Sequence, residues 1–216
     1  MSRWLWVAAA GAVGLAASGV FAGLLGLGRS VFVAAFGVLA LPFLAAYAHQ
    51  AGVHPLAQLR RRWRAGLIGG LLLGLVLVWT VASQPASPAP VGAALVADLL
   101  WLGAVYGTID ALLLSVLPVV ALYGAQPAHH QAHAAGRARW AAAALLASLV
   151  VTALYHAGFA EFRGAALLQP LVGNGLLTLG YLLTGNPLTP VIGHVAMHVA
   201  AVLHGAATTV QLPPHY

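Results

Sequence analysis

Long apolar runs, almost free of charge, alternate with short polar segments along the whole chain. The runs are Trp4 to Leu27, Val31 to Ala48, Gly66 to Ser83, Gly92 to Tyr123, Trp140 to Ala157, Ala165 to Leu183 and Thr189 to Gly205. Six of them are close to the ~20 residues that carry a helix across a bilayer. Gly92 to Tyr123 is too long for one straight crossing at about 1.5 Å per residue. It predicts either one tilted, kinked helix or two pieces bent near Gly103 and Gly107. Strands of a membrane barrel would appear as segments of about ten alternating residues, and no such segment occurs. The pattern predicts an all-α polytopic transmembrane bundle of about seven spans.

The punctuation is polar and rich in turn residues. Gly28-Arg29-Ser30 separates the first two runs, and Gln84 to Pro90 (QPASPAP) separates the third from the fourth. Gly124 to Arg139 carries His129, His130 and His133, a solvated loop with weak metal-binding capacity at most. Gly185-Asn186-Pro187 leads into the last run, and a tail with Pro213 and Pro214 ends the chain. Run six is interrupted by Gly173-Asn174-Gly175, a candidate break. No repeat or separable soluble domain is evident, so residues 1–216 read as one membrane domain. Within it, 1–91 supplies three supporting spans and 92–205 carries the polar residues.

Composition agrees with this reading. Of 216 residues, 62% are hydrophobic and 6% charged, against roughly 25% charged in a soluble domain. The nine basic residues are all arginines. Seven of them gather beside spans, at Arg3, at Arg60, Arg61, Arg62 and Arg64, and at Arg137 and Arg139, so the net charge of +6 points to membrane topology and not to nucleic acid. If Gly92 to Tyr123 crosses once, these three groups share one side, expected to be cytoplasmic. The expected location is the cytoplasmic (inner) membrane, N-terminus inside and C-terminus outside. The apolar stretch after Arg3 exceeds the usual 7 to 15 residue core of a cleaved signal, so a retained first helix is expected. There is no cysteine, which excludes disulfides, thiolate metal sites and cysteine nucleophiles. Gly11, Gly14, Gly19 and Gly23 read as close helix contacts.

The chemistry concentrates in the second half. Only three acidic residues exist, Asp98, Asp110 and Glu161. Asp110 lies between apolar stretches, where an ionised carboxylate costs a few kcal/mol unless paired, protonated or bound to a cation. A plain structural role would tie it to another helix or to Tyr106 one turn away. His156 ends the fifth run. His194 and His198 share a helix face at spacing i, i+4, either as an inter-helix hydrogen-bond pair or as partners on one ligand. His204 faces elsewhere on that helix, and His49, His54 and His215 lie in loops or the tail. Asp110, His156, His194 and His198 together suit zinc or another divalent first-row metal.

The segment Tyr181-Leu-Leu-Thr-Gly-Asn-Pro-Leu-Thr-Pro-Val-Ile-Gly-His194-Val-Ala-Met-His198 resembles the final motif of the CPBP/ABI family of membrane-embedded CAAX prenyl and bacteriocin-processing proteases. His194 falls on the motif histidine, and His198 falls where the family has asparagine. Leu154-Tyr155-His156 resembles the end of the family's F-x-x-x-H motif, with Thr152 at the phenylalanine position. Ile109-Asp110 occupies the place of its first acidic motif, with Leu114 where arginine stands. The resemblance covers about 100 residues, from Tyr106 to Gly205. It implies a diverged intramembrane hydrolase acting on a membrane-embedded peptide or lipidated substrate. In that reading Asp110 and His156 activate water, and His194 and His198 stabilise the oxyanion. The alternatives are a non-catalytic scaffold of the same fold, a proton or metal-ion transporter, and a haem b protein with axial histidines. His156 and His194 lie at different calculated depths, about 25 and 10 Å from the inner face at 1.5 Å per residue, so a broken or re-entrant helix is expected in span six or seven. The site is expected to open between spans four, five and seven.

Overall fold

A computed structural model describes residues 2–124, 133–205, 207 and 209–212. Hydrocarbon offers the backbone no hydrogen-bond partner, so each apolar run closes its own ladder as a helix. No strand occurs among the described residues. The helices are α1 (Arg3–Leu24), α2 (Arg29–Gln50), the short α3 (Pro55–Arg60), α4 (Trp63–Ala82), α5 (Gly92–Gly124), α6 (Ala134–Ala157), α7 (Leu168–Thr184) and α8 (Leu188–His204). Six are long and apolar enough to span a membrane, α7 being counted with the 3-10 turn that leads into it (Gly164–Thr184), and α8 is a shorter apolar helix.

Contacts between small residues and their neighbours set the helix directions. Gly11 faces Leu154 and Gly14 faces Tyr155, so α1 and α6 run parallel. Gly66 meets Asn186, Gly70 meets Ile192 and Gly74 meets Ala196, so α4 and α8 run parallel. Gly103 meets Val199 and Gly107 meets Val195, so α5 runs antiparallel to α8. Asn174 reaches Thr152 and Thr178 reaches Ser148, so α7 runs antiparallel to α6. The seven long helices therefore alternate up and down. Arg3, the Arg60 to Arg64 group, Arg137 and Arg139 gather at one end, called here the arginine end. Arg29, Asp98, Glu161 and Arg163 lie at the other.

The long run is one continuous helix. In α5, 78% of the most apolar window is buried, against 28–39% in the other spanning helices, so α5 is the central post of the bundle. Its turns alternate between α and the wider π form at Leu99–Val105, Leu112–Val116 and Val120–Gly124. Gly103 and Gly107 do not split it in two; they make room for α8. A Cβ at Gly103 would lie 2.8 Å from Val199 Cγ2, and one at Gly107 3.1 Å from Val195 Cα. Close approach through small residues is the usual device of membrane helix packing. Gly11, Gly14 and Gly23 serve it between α1 and α6, whereas a Cβ at Gly19 would meet nothing within 4 Å.

The expected break in span six or seven is absent. α7 runs unbroken through Gly173-Asn174-Gly175, and α8 is continuous from Leu188. The depth mismatch is resolved by sinking the turn between them. Asn186 and Pro187 are buried, and Asn186 Nδ2 lies within 2.5–3.2 Å of the carbonyl oxygens of Gln58, Leu59 and Arg61, in and just after α3. Its Oδ1 accepts from Leu188 N at 2.8 Å, closing the first turn of α8. Helix α8 thus starts inside the bundle and lifts His194 to the level of Asn174 and Thr152, one turn below His156.

Candidate metal centre

Three helix contacts deliver the polar residues to one point. Asp110 lies midway along α5, and the Gly103 and Gly107 contacts bring α8 against it. A Cβ at Gly107 would approach His198 Cδ2 to 3.0 Å, so the bare glycine seats that ring. Gly193 abuts Leu177 and lets α8 lie close to α7. Ligand atoms of Asp110, His194 and His198 consequently fall within 4.8 Å of one another, all three residues being buried.

The spacing decides between the two structural readings of this cluster. Asp110 Oδ2 is 3.7 Å from His194 Nδ1 and 3.6 Å from His198 Nε2, too long for hydrogen bonds. Two ligands bound tetrahedrally at about 2.1 Å to one ion stand about 3.4 Å apart. The groups are therefore not tied to each other, and they are spaced as if to share something between them. Four of their atoms, Asp110 Oδ1, His194 Nδ1 and both ring nitrogens of His198, are buried without a hydrogen-bond partner. Each such atom costs about 1–3 kcal/mol, and the three residues together could hold a metal ion. The link from Asp110 to Tyr106 does not form, because the Tyr106 hydroxyl bonds that of Tyr155 at 2.8 Å.

A second polar layer fixes one tautomer. Ser148 Oγ donates to Leu114 O at 2.6 Å, and Thr152 Oγ1 donates to Ser148 O at 2.8 Å. With their protons so used, both hydroxyls accept from Asn174 Nδ2, at 2.9 and 2.6 Å. That orients the amide and turns Asn174 Oδ1 toward Ser115 Oγ, which donates at 2.6 Å, and toward His194 Nε2 at 3.3 Å. A carbonyl oxygen only accepts, so His194 carries its proton on Nε2. The Nδ1 lone pair then faces Asp110, the state a metal-ligating imidazole requires. Thr178 closes the network, 2.8 Å from Ser148 Oγ and 3.1 Å from Ser115 Oγ.

His156 lines the same cavity but stands outside this three-residue group. Its Nδ1 donates to Thr152 O at 2.9 Å, which leaves the Nε2 lone pair available. Phe162 meets its ring edge-on at a centroid distance of 4.8 Å. The cavity, about 230 Å³, has Asp110, His194, His198 and Asn174 at its inner end. Glu161, Gln169 and Gln211 line it toward the end away from the arginines. Gln211 Oε1 is a further buried atom without a partner. Spans three and six belong to the wall, through Val76, Leu77 and Thr80 of α4 and Pro170 to Leu177 of α7. Residues of the third and sixth spans thus join those of spans four, five and seven in lining the cavity. His204 is remote and bonds Gln84 O at 2.7 Å. His133 is exposed at the start of α6, while His129, His130 and His215 lie outside the described residues.

Sequence reasoning placed Asp110, His194 and His198 and missed the Asn174 network. Its available signal was a pair of i, i+4 polar couples inside neighbouring apolar spans, Ser148 with Thr152 and Asn174 with Thr178. No protein-family model, curated protein or solved structure matches the chain.

Proposed function

We propose that the chain is a metal-dependent intramembrane hydrolase, diverged from the CPBP-like proteases that its last third resembles. The observation that carries the reading is the convergence of Asp110, His194 and His198 at the inner end of a cavity, where the ring nitrogens that His194 and His198 turn toward Asp110 have no hydrogen-bond partner. Two imidazoles and a carboxylate are a common catalytic zinc set, which leaves a fourth position for water or substrate. A bound divalent ion would polarise a carbonyl and acidify its water. His194 presents Nδ1 and Asp110 presents Oδ2, while Asn174 holds the His194 ring. His156 Nε2 faces the cavity as the base that takes the proton of attacking water. As metal ligands, His194 and His198 are not oxyanion donors, and the ion assumes that task. By the positive-inside rule the arginine end is cytoplasmic, and the cavity opens toward the opposite side.

Metal content of detergent-purified protein tests this. Wild type is expected to hold one zinc, or another first-row divalent ion, per chain. Asp110→Ala, His194→Ala and His198→Ala each lose it, and His156→Ala keeps it. A well-folded wild type that takes up no metal after incubation with zinc sinks the proposal.

A further inference from the structure

The cavity has a side door as well as a polar mouth. Val76 on α4 and Val172 and Leu176 on α7 line it, yet they are 48%, 62% and 38% exposed at the outer surface of the bundle. They belong to the lipid-facing stripes of their helices. On α4 that stripe includes Ile68, Leu72, Val76 and Trp79, and on α7 it includes Leu168, Val172, Leu176, Leu179 and Leu183, all exposed. Between these stripes stands Gly173, whose missing side chain leaves only Leu77 Cδ2 nearby, at 3.9 Å from a built Cβ. Farther toward the arginine end the same two helices close tightly, with Gly180 against Leu73 and Gly69 against Thr184. The gap is therefore local, level with the buried cluster, and in the half of the membrane away from the arginines.

We infer that the substrate is a single-headed amphiphile of the leaflet opposite the arginine end, whose hydrocarbon chain leaves the cavity sideways between α4 and α7 while its ester or amide reaches Asp110, His194 and His198. The inference rests on the hydrolase reading above. The cavity's two environments require both parts of such a molecule. Glu161, Gln169 and Gln211 offer polar contacts to a head group, and Val76, Val172 and Leu176 offer only apolar contact continuous with lipid. In the reaction, water adds to the carbonyl carbon and the C–O or C–N bond breaks. A carboxylic acid and an alcohol or amine result, with the proton that His156 takes from the water passing on to the leaving group and the other staying on the acid.

Hydroxamates, which chelate catalytic metals, provide a readout independent of turnover. Acetohydroxamic and dodecanohydroxamic acids are titrated into cobalt(II)-loaded protein in detergent, and binding is followed by the visible cobalt bands. Val76→Trp and Val172→Trp fill the gap from exposed positions, so the fold tolerates them. Val150→Trp, at a lipid-facing site of α6 remote from the cavity, is the control. Each plug is expected to weaken dodecanohydroxamate by about tenfold or more, the usual penalty for obstructing an apolar subsite. Acetohydroxamate binding, and both ligands in the control, stay at wild-type strength. Comparing one ligand across variants cancels its partitioning into the micelle. If cobalt and acetohydroxamate bind but neither plug affects the long chain, the side door is refuted and the metal reading stands. If no cobalt binds to the folded protein, both fall.

Discussion

Replacing Asn174 with leucine tests the tautomer argument. The side chain has nearly the same volume but neither accepts from His194 nor donates to Ser148 and Thr152. In the wild type the 3.3 Å contact from His194 Nε2 leaves Nδ1 as the only free lone pair. Without it the imidazole can carry its proton on either nitrogen, and the ring loses its orienting bond. Loss of an outer partner to a metal-ligating histidine typically weakens binding about 10–100-fold. A long, neutral contact places Asn174→Leu near the lower figure, about 1.4 kcal/mol. Folding stability of the metal-free protein falls as well, because the Ser115 hydroxyl loses its acceptor at 2.6 Å, at a cost of about 1–3 kcal/mol. The two effects separate through Thr178→Val, which disturbs the same network without touching His194. That variant is expected to lose stability and keep its zinc affinity. Zinc affinity is measured by competition against a chelator of known strength in detergent, and stability by thermal unfolding of the chelated protein. A folded Asn174→Leu that binds zinc as tightly as wild type refutes the argument, as does a Thr178→Val with equally weakened zinc.

Three other outcomes follow from the packing. Gly107→Val forces a side chain toward Val195 Cα and His198 Cδ2, each about 3 Å from the built Cβ, and should abolish zinc binding, whereas Gly19→Ala, facing open space, should leave it intact; metal analysis of both reads this. Asn186→Ala strips the donor from the carbonyls of Gln58, Leu59 and Arg61 and should lower thermal stability by about 1–3 kcal/mol, seen as an earlier unfolding transition. A reporter active only outside the cytoplasm should be active when fused at the C-terminus and silent when fused at Arg64; the reverse result overturns the orientation.

The spans were legible because hydrocarbon imposes the same demand on every stretch: few charges, and a ladder closed within the segment. The chemistry was legible for a related reason. A carboxylate and an i, i+4 histidine pair inside apolar helices are costly, so Asp110, His194 and His198 stood out one by one. What could not be read was relative depth. Counting residues from each polar boundary treats every turn as lying at the membrane surface. The turn at Asn186 does not, because that side chain's two N–H groups are shared among the carbonyls at the end of α3 and so can be buried. Asn174 was misread for the opposite reason. Flanked by two glycines it has the composition of a helix break, and only the hydroxyls of Ser115, Ser148 and Thr152, carried by two other helices, show that its amide is fully used within an unbroken one.

The closed underside of the site also bears on transport. Beneath Asp110, His194 and His198, Asn174 and the four hydroxyls of Ser115, Ser148, Thr152 and Thr178 spend their protons on one another or on backbone carbonyls, leaving none to relay. Toward the arginine end lies a second cavity of about 340 Å³, lined chiefly by aliphatic residues such as Leu41, Leu44, Leu112, Val116 and Val120. An ion or proton leaving the site in that direction would find Tyr47 and Gln58 among otherwise apolar walls, and would bear most of the cost of a charge in an apolar interior. A site reached from its own end of the bundle and through the proposed side door beside Gly173 needs no path through that second cavity.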